Sequence, residues 1–226
     1  MEFHQGQIMK RMAVEILAIR LLIGLASATV FLPLEAAAGT FGYANITLQP
    51  GLNLIGVPLR IAGGNTISTQ FAKQPEGTSQ VPEGTIVYKI VQGNFTTNVF
   101  QNGVWDRPDE VIEEGEGIFV RNPASNSVNI AFAGEVREGD LTNSIPQGLA
   151  IRSSLSLIGG KITRDLSLKL SAFDNIYLLV DGVLEVFTYL PNGAWKPNEP
   201  TLRQGEAFVV NASQSTNWIT HFQPGY

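Results

Sequence analysis

The 226-residue chain sets 15 Lys+Arg against 20 Asp+Glu, a net charge of −5, with 44% hydrophobic and 15% charged residues and no cysteine. The missing cysteine excludes a disulfide-stapled scaffold and any thiolate nucleophile or metal site. The acidic balance argues against a nucleic-acid binder, and the apolar content against a disordered chain.

The N-terminal segment reads as an address. Lys10, Arg11 and Arg20 form a basic region, Leu21–Leu34 an apolar stretch, and Ala36-x-Ala38 a small-residue cleavage site. Together these are the parts of a secretory signal peptide. A bilayer span needs about 20 apolar residues, so the pattern predicts a cleaved signal helix over 1–38, with retention as an anchor the alternative. Cleavage leaves no stable membrane span, and the expected location is secreted or cell envelope. An exported chain without cysteine must take its stability from core burial and strand pairing.

Beyond the signal the chain reads as short strands split by turns. Ala44–Gln49 and Leu52–Ile61 are apolar, β-branched runs broken at Pro50-Gly51. Thr66–Lys73 leaves room for a helical turn. Thr85–Val91 and Phe95–Phe100 flank Gln92-Gly93-Asn94, a hairpin pattern, and Gly117–Arg121 pairs with Ser127–Ala133 across Asn122–Asn126. Arg137–Ser144, polar and containing Gly139-Asp140, reads as a joint. After it the pattern returns as Ile176–Val180, Asp181-Gly182, Leu184–Leu190, then Ala207–Asn211 and Asn217–Phe222, with Thr163–Leu170 in the place of the helical turn.

The return extends to single residues. Gly103-Val-Trp105 recurs as Gly193-Ala-Trp195, and Gly115-Glu116 as Gly205-Glu206, both at an offset of 90. Tyr88 recurs as Tyr177 at 89, and Gly51-Leu52 as Gly148-Leu149 at 97. A polar stretch, Gln74–Glu83, accounts for the longer first copy. Repetition at a fixed period is evidence for a duplicated unit. The expected fold is all-β: two tandem β-sandwich or small-barrel modules of about 90 residues, 39–136 and 145–226, related by internal duplication and joined by 137–144. The expected structural signature is Gly51, Gly148, Trp105, Trp195, Gly115, Glu116, Gly205 and Glu206.

Gly51-Leu-Asn-Leu-Ile55, Gly103-Val-Trp105 and Gly115-Glu-Gly-Ile-Phe-Val120 resemble modules of exported bacterial proteins of unknown function, often found in tandem. The resemblance covers roughly Ile46 to Phe222. It departs at Glu114 and Gln204, where those modules often carry Pro, and at Gly148-Leu-Ala-Ile151, which lacks the Asn. It implies an extracellular or envelope β module and brings no catalytic residue.

Candidate chemistry is sparse. After the signal one histidine remains, His221, and no Gly-x-Ser-x-Gly elbow accompanies the serines. Asp106, Asp109, Glu110 and Glu113 offer oxygen ligands that suit Ca²⁺, at a spacing that does not match a calcium-loop pattern. Lys196 and Arg203 stand among the corresponding residues of the second copy. A bland reading makes this stretch a solvated acidic loop. Glu116 and Glu206 are assigned a structural duty, accepting backbone N–H groups in the turn before a strand. Trp105 and Trp195 recur with the fold and are expected in the core. Trp218, whose counterpart is Val128, is the candidate for a ligand-binding surface together with Tyr189. The expected protein is non-enzymatic, without an obligate cofactor, and serves a structural, adhesive or binding role toward an envelope or extracellular protein or polysaccharide. The alternatives are a carbohydrate binder using exposed aromatics and an outer-membrane β-barrel.

Overall fold

The computed structural model describes residues 40–61, 63–72 and 80–223. The expected signal peptide, 1–38, lies outside the described residues, as does part of the polar stretch after Gln74. The described chain is all-β, built from antiparallel sheets that do not close into a barrel.

The N-terminal half contains β1 (Phe41–Leu48), β2 (Gly51–Gly56), β3 (Leu59–Ile61), α1 (Ile67–Gln70), β4 (Ile86–Val91), β5 (Asn94–Gln101), β6 (Val104–Trp105), β7 (Gly117–Asn122) and β8 (Val128–Val136). The C-terminal half contains β9 (Gly139–Ile145), β10 (Gly148–Ser153), β11 (Gly160–Lys161), β12 (Asn175–Val180), β13 (Val183–Tyr189), β14 (Trp195–Lys196), β15 (Thr201–Leu202), β16 (Ala207–Ala212) and β17 (Thr216–Phe222). Turn chemistry sets the hairpins. Asp181 (φ 47°) and Gly182 (φ 79°) both take positive φ, the two-residue turn whose twist matches the flanking strands. The run expected from Leu52 to Ile61 is divided into β2 and β3 by Val57-Pro58, because proline has no N–H for the ladder.

Two five-stranded sheets dominate. One has the order β2-β7-β4-β5-β6 and the other β10-β16-β12-β13-β14. Their registers also agree: Tyr88 lies opposite Phe119 in the first and Tyr177 opposite Val209 in the second. A smaller sheet, β1-β8-β3, covers one face of the first sheet, and β9 pairs with β17 in the other half.

Period-two alternation divides the apolar residues between two destinations. Ile55, Val87, Ile118 and Val120 enter the core of their own half with Leu48, Ile130 and Phe132. Ala150, Ile176, Phe208 and Val210 do the same in the C-terminal half, with Trp195 and Trp218. The opposite faces, carrying Leu54, Phe119, Ile151, Ala207 and Val209, meet in a third cluster that holds the two sheets together.

The segment expected as a joint is corrected here. Gly139–Ile145 is strand β9, paired along its length with β17 and burying Leu141, Asn143 and Ile145. The two halves are therefore linked by residues 137–138 alone, and the described residues form one compact unit.

Candidate functional site

Each half contributes one tight turn to the contact between the sheets. In the first, the Glu116 carboxylate accepts from the Glu113 backbone N–H at 2.9 Å, and the Glu116 N–H donates to the Glu113 carbonyl at 2.9 Å. In the second, the Glu206 carboxylate accepts from the Arg203 N–H at 2.8 Å, and the Glu206 N–H donates to the Arg203 carbonyl at 3.1 Å. Gly115 and Gly205 each sit at φ +76°, a conformation that disfavours any side chain. The backbone duty expected of Glu116 and Glu206 is thus present in both halves.

These turns also clasp the opposite half. The Gly115 carbonyl accepts from the Ser153 N–H at 2.9 Å, and the Gly205 carbonyl from the Gly56 N–H at 3.0 Å. Asn143 of β9 adds bonds from Nδ2 to the carbonyls of Gly115 and Ser153, both at 2.9 Å. The contacts are reciprocal, as at a two-fold interface. Replacing Glu206 by Gln weakens a charge-assisted bond that shapes one clasp. Stability is expected to fall by about 1 kcal/mol, or roughly 2–4 °C in melting temperature. An unchanged thermal melt would remove the carboxylate from that role.

Beside each clasp lies a cleft. One, of about 630 Å³, is bounded by the end of β4, the Glu113–Glu116 turn, β9 and Arg152 of β10. The other, of about 650 Å³, is bounded by the corresponding elements: β1, β2, the β12–β13 turn and Arg203–Glu206. Their chemistry differs. Lys89, Asn143 and Arg152 mark the first cleft, and the equivalent positions around the second are Leu178, Ile46 and Ile55.

Lys89 is 6% exposed on a strand otherwise built of Ile, Val and Tyr. Its ammonium pairs with the Glu116 carboxylate at 3.0 Å and donates to the Val111 carbonyl. Arg152 donates from Nε to the Ser144 carbonyl at 2.7 Å and from Nη1 to the Ile151 carbonyl at 2.9 Å. Its Nη2 has no hydrogen-bond partner among the described residues. Burial pushes the Arg152 guanidinium below its ordinary pKa, against the opposing pull of the Glu116 charge. Neither cation stood out from motif spacing; their counterparts Leu178 and Ile55 were the available signal.

The acidic stretch is spread among cations. Glu110 accepts from Asn98 at 2.8 Å and lies 3.1 Å from Arg107, while Glu114 lies 3.1 Å from Arg60 and 3.3 Å from buried Arg137. Burial raises the Glu114 pKa, but the Arg60 hydrogen bond and the Arg137 charge outweigh it, so its carboxyl is held below the usual range. Asp106, Asp109 and Glu113 are exposed. Among the described residues, no three His, Cys, Asp or Glu side chains are grouped to hold a metal ion.

The aromatic candidates separate. Trp218, expected on a ligand surface, is 1% exposed and donates from Nε1 to the Leu166 carbonyl at 2.6 Å. It is a core residue, packed on Phe208 at 5.6 Å between ring centroids. Tyr189 is half-buried on the edge of Trp195, at 5.2 Å, so the pair does not form one platform. Trp105 and Trp195 are buried as expected. His221 bonds the Asp140 carboxylate at 2.8 Å at the surface.

No family model matches the chain, and no curated protein or solved structure matches it.

Proposed function

We propose that this chain is an exported, non-enzymatic binding protein of the cell envelope or extracellular space, made of two tandem copies of one β-sandwich unit. The sequence offsets of 89 to 97, together with the shared strand order and register, support duplication. Export rests on the basic, apolar and Ala-x-Ala pattern of residues 1–38. The resemblance to tandem modules of exported bacterial proteins points the same way.

The observation that carries a binding role is the cleft at Arg152. A guanidinium anchored through Nε and Nη1, with Nη2 unspent, is oriented before any ligand arrives. Arg152 can donate to a carboxylate and the exposed Glu113 can accept from hydroxyls; with Glu114 and Glu116 also lining the cleft, the partner it suits is hydroxyl-rich with isolated carboxylates. An acidic polysaccharide of the envelope fits that description. The carbohydrate reading therefore moves from aromatic stacking to polar recognition, since Trp218 is enclosed. Lys89 and Glu116 neutralise each other as a structural pair, which favours binding over catalysis.

The test is calorimetric titration with uronate-containing and neutral oligosaccharides. Binding of a uronate-containing oligosaccharide is expected, weakened about tenfold by Arg152→Ala through loss of a charged hydrogen bond. A folded sample that binds none of them, or an Arg152→Ala variant that binds as tightly as wild type, would reject the cleft as the site.

A further inference from the structure

The two five-stranded sheets overlap only in part. Their packing runs through β2, β4 and β7 against β10, β12 and β16. The first sheet continues beyond it as β5 and β6, and the second as β13 and β14. Each overhang carries onward the same face that the interior cluster buries. On β13 that face shows Leu184 and Val186, opposite Leu179 and Tyr177 of β12, and they are 44% and 49% exposed. On β5 it shows Phe95 and Thr97, opposite Ile90 and Tyr88.

We propose that the β13 overhang pairs with the same overhang of a second copy of this chain, forming a closed two-fold dimer. This goes beyond the binding reading and does not depend on it. Continuity with the internal interface supplies the first reason. Tyr177 and Leu179 already pack against Leu54, Phe119, Ile151, Ala207 and Val209, and Leu184 and Val186 extend that surface without a charged residue between them on this face. Water-exposed aliphatic side chains grouped on one sheet face mark an interaction surface.

Shape supplies the second. The overhang is a step: its floor is β13, and its riser is β2, the edge strand of the other sheet, where Leu52 is 37% exposed. Two such steps related by a two-fold axis interlock, each floor covering the other, and the assembly closes at two copies. Composition selects β13 over β5. Thr97 stands where β13 has Val186, so β5 offers one exposed apolar side chain on this face, Phe95 at 60%, where β13 offers two in a row.

Sedimentation velocity on the purified protein tests this. The wild type is expected at twice the chain mass. The double variant Leu184→Glu/Val186→Glu is expected at the chain mass with an unchanged circular dichroism spectrum. Val186→Thr, which copies the β5 residue, is expected to weaken the dimer several-fold without placing a charge on the sheet. Phe95→Glu, on the other overhang, is expected to leave it intact. A wild type monomeric at every concentration, a dimer that survives the double variant or is untouched by Val186→Thr, or one that dissociates with Phe95→Glu would each overturn the assignment.

Discussion

The Lys89→Leu variant is expected to unfold about 3–5 kcal/mol more easily than the wild type, a fall of roughly 10 °C in melting temperature. The substitution keeps an apolar stem of similar length and removes only the charge. The Glu116 carboxylate, whose side chain is 11% exposed, then loses the ammonium 3.0 Å away. Breaking one side of a buried ion pair is costly because the remaining charge stays desolvated. The C-terminal half shows how the same position works without the pair. Leu178 occupies the lysine's place, and Glu206 turns to Arg203 at 3.4 Å, whose side chain is 84% exposed. Lys89→Leu combined with Glu116→Gln should therefore regain at least half of the loss, since glutamine still accepts from the Glu113 N–H. Urea denaturation of the two single variants and the double variant measures the coupling. A loss below about 1 kcal/mol for Lys89→Leu would show that the pair behaves as an exposed one.

What the sequence made legible follows the range of the interactions. The hairpins at Gln92–Asn94 and Asp181-Gly182 and the Gly-Glu turns are set by neighbours within a few residues, and the structure forms them. The pairing expected between Gly117–Arg121 and Ser127–Ala133, and between their counterparts, does not form. Instead β7 pairs with β2 and β4, β8 with β1 and β3, β16 with β10 and β12, and β17 with β9, partners distant in sequence that no turn signal reveals. β9 reads as a joint in sequence because Asp140, Thr142 and Ser144 face outward and the inward series Leu141, Asn143, Ile145 contains an amide. Asn143 points inward because it bonds Gly115, a partner 28 residues away that no local pattern reveals. Trp218 departs from its expected surface position for a related reason. A tryptophan facing a valine counterpart suggests a surface addition, but each core is filled to its own pattern. The first draws Phe71 from just after α1 against Trp105 and Phe132, and the second uses Trp218 against Phe208. The cleft was invisible because its parts, Lys89 and Arg152, are single cations on separate strands. Its shape comes from packing one half against the other.

That packing is held close by small residues, and Gly56→Ala is expected to cost about 3 kcal/mol, near 8 °C in melting temperature. Gly56 does not occupy the positive-φ region, so alanine brings no backbone strain, and the whole effect is steric. A Cβ there would lie 2.0 Å from the Ser153 Cβ and 2.3 Å from its Oγ. The obstruction sits beside the backbone, where no rotamer change relieves it. Gly117 is in the same position toward Ala207, at 2.5 Å. In the aligned halves Gly56 corresponds to Ser153 and Gly117 to Ala207, so each residue faces its own counterpart. Contacts between equivalent positions occur where a two-fold axis passes, and there the combined bulk of the pair sets the separation. Gly56→Ala together with Ser153→Gly restores that bulk with the partners exchanged. The double variant is expected to recover most of the lost stability, short by at most about 1 kcal/mol for glycine in a strand. Because the Gly56 N–H also donates to the Gly205 carbonyl, forcing the strands apart opens a clasp and the cleft beside it. Gly56→Ala should therefore speed hydrogen exchange at Gly56 more than at Val87, inside the first core. Equal acceleration at both sites would mean that the substitution acts through global opening and not at the contact between the halves.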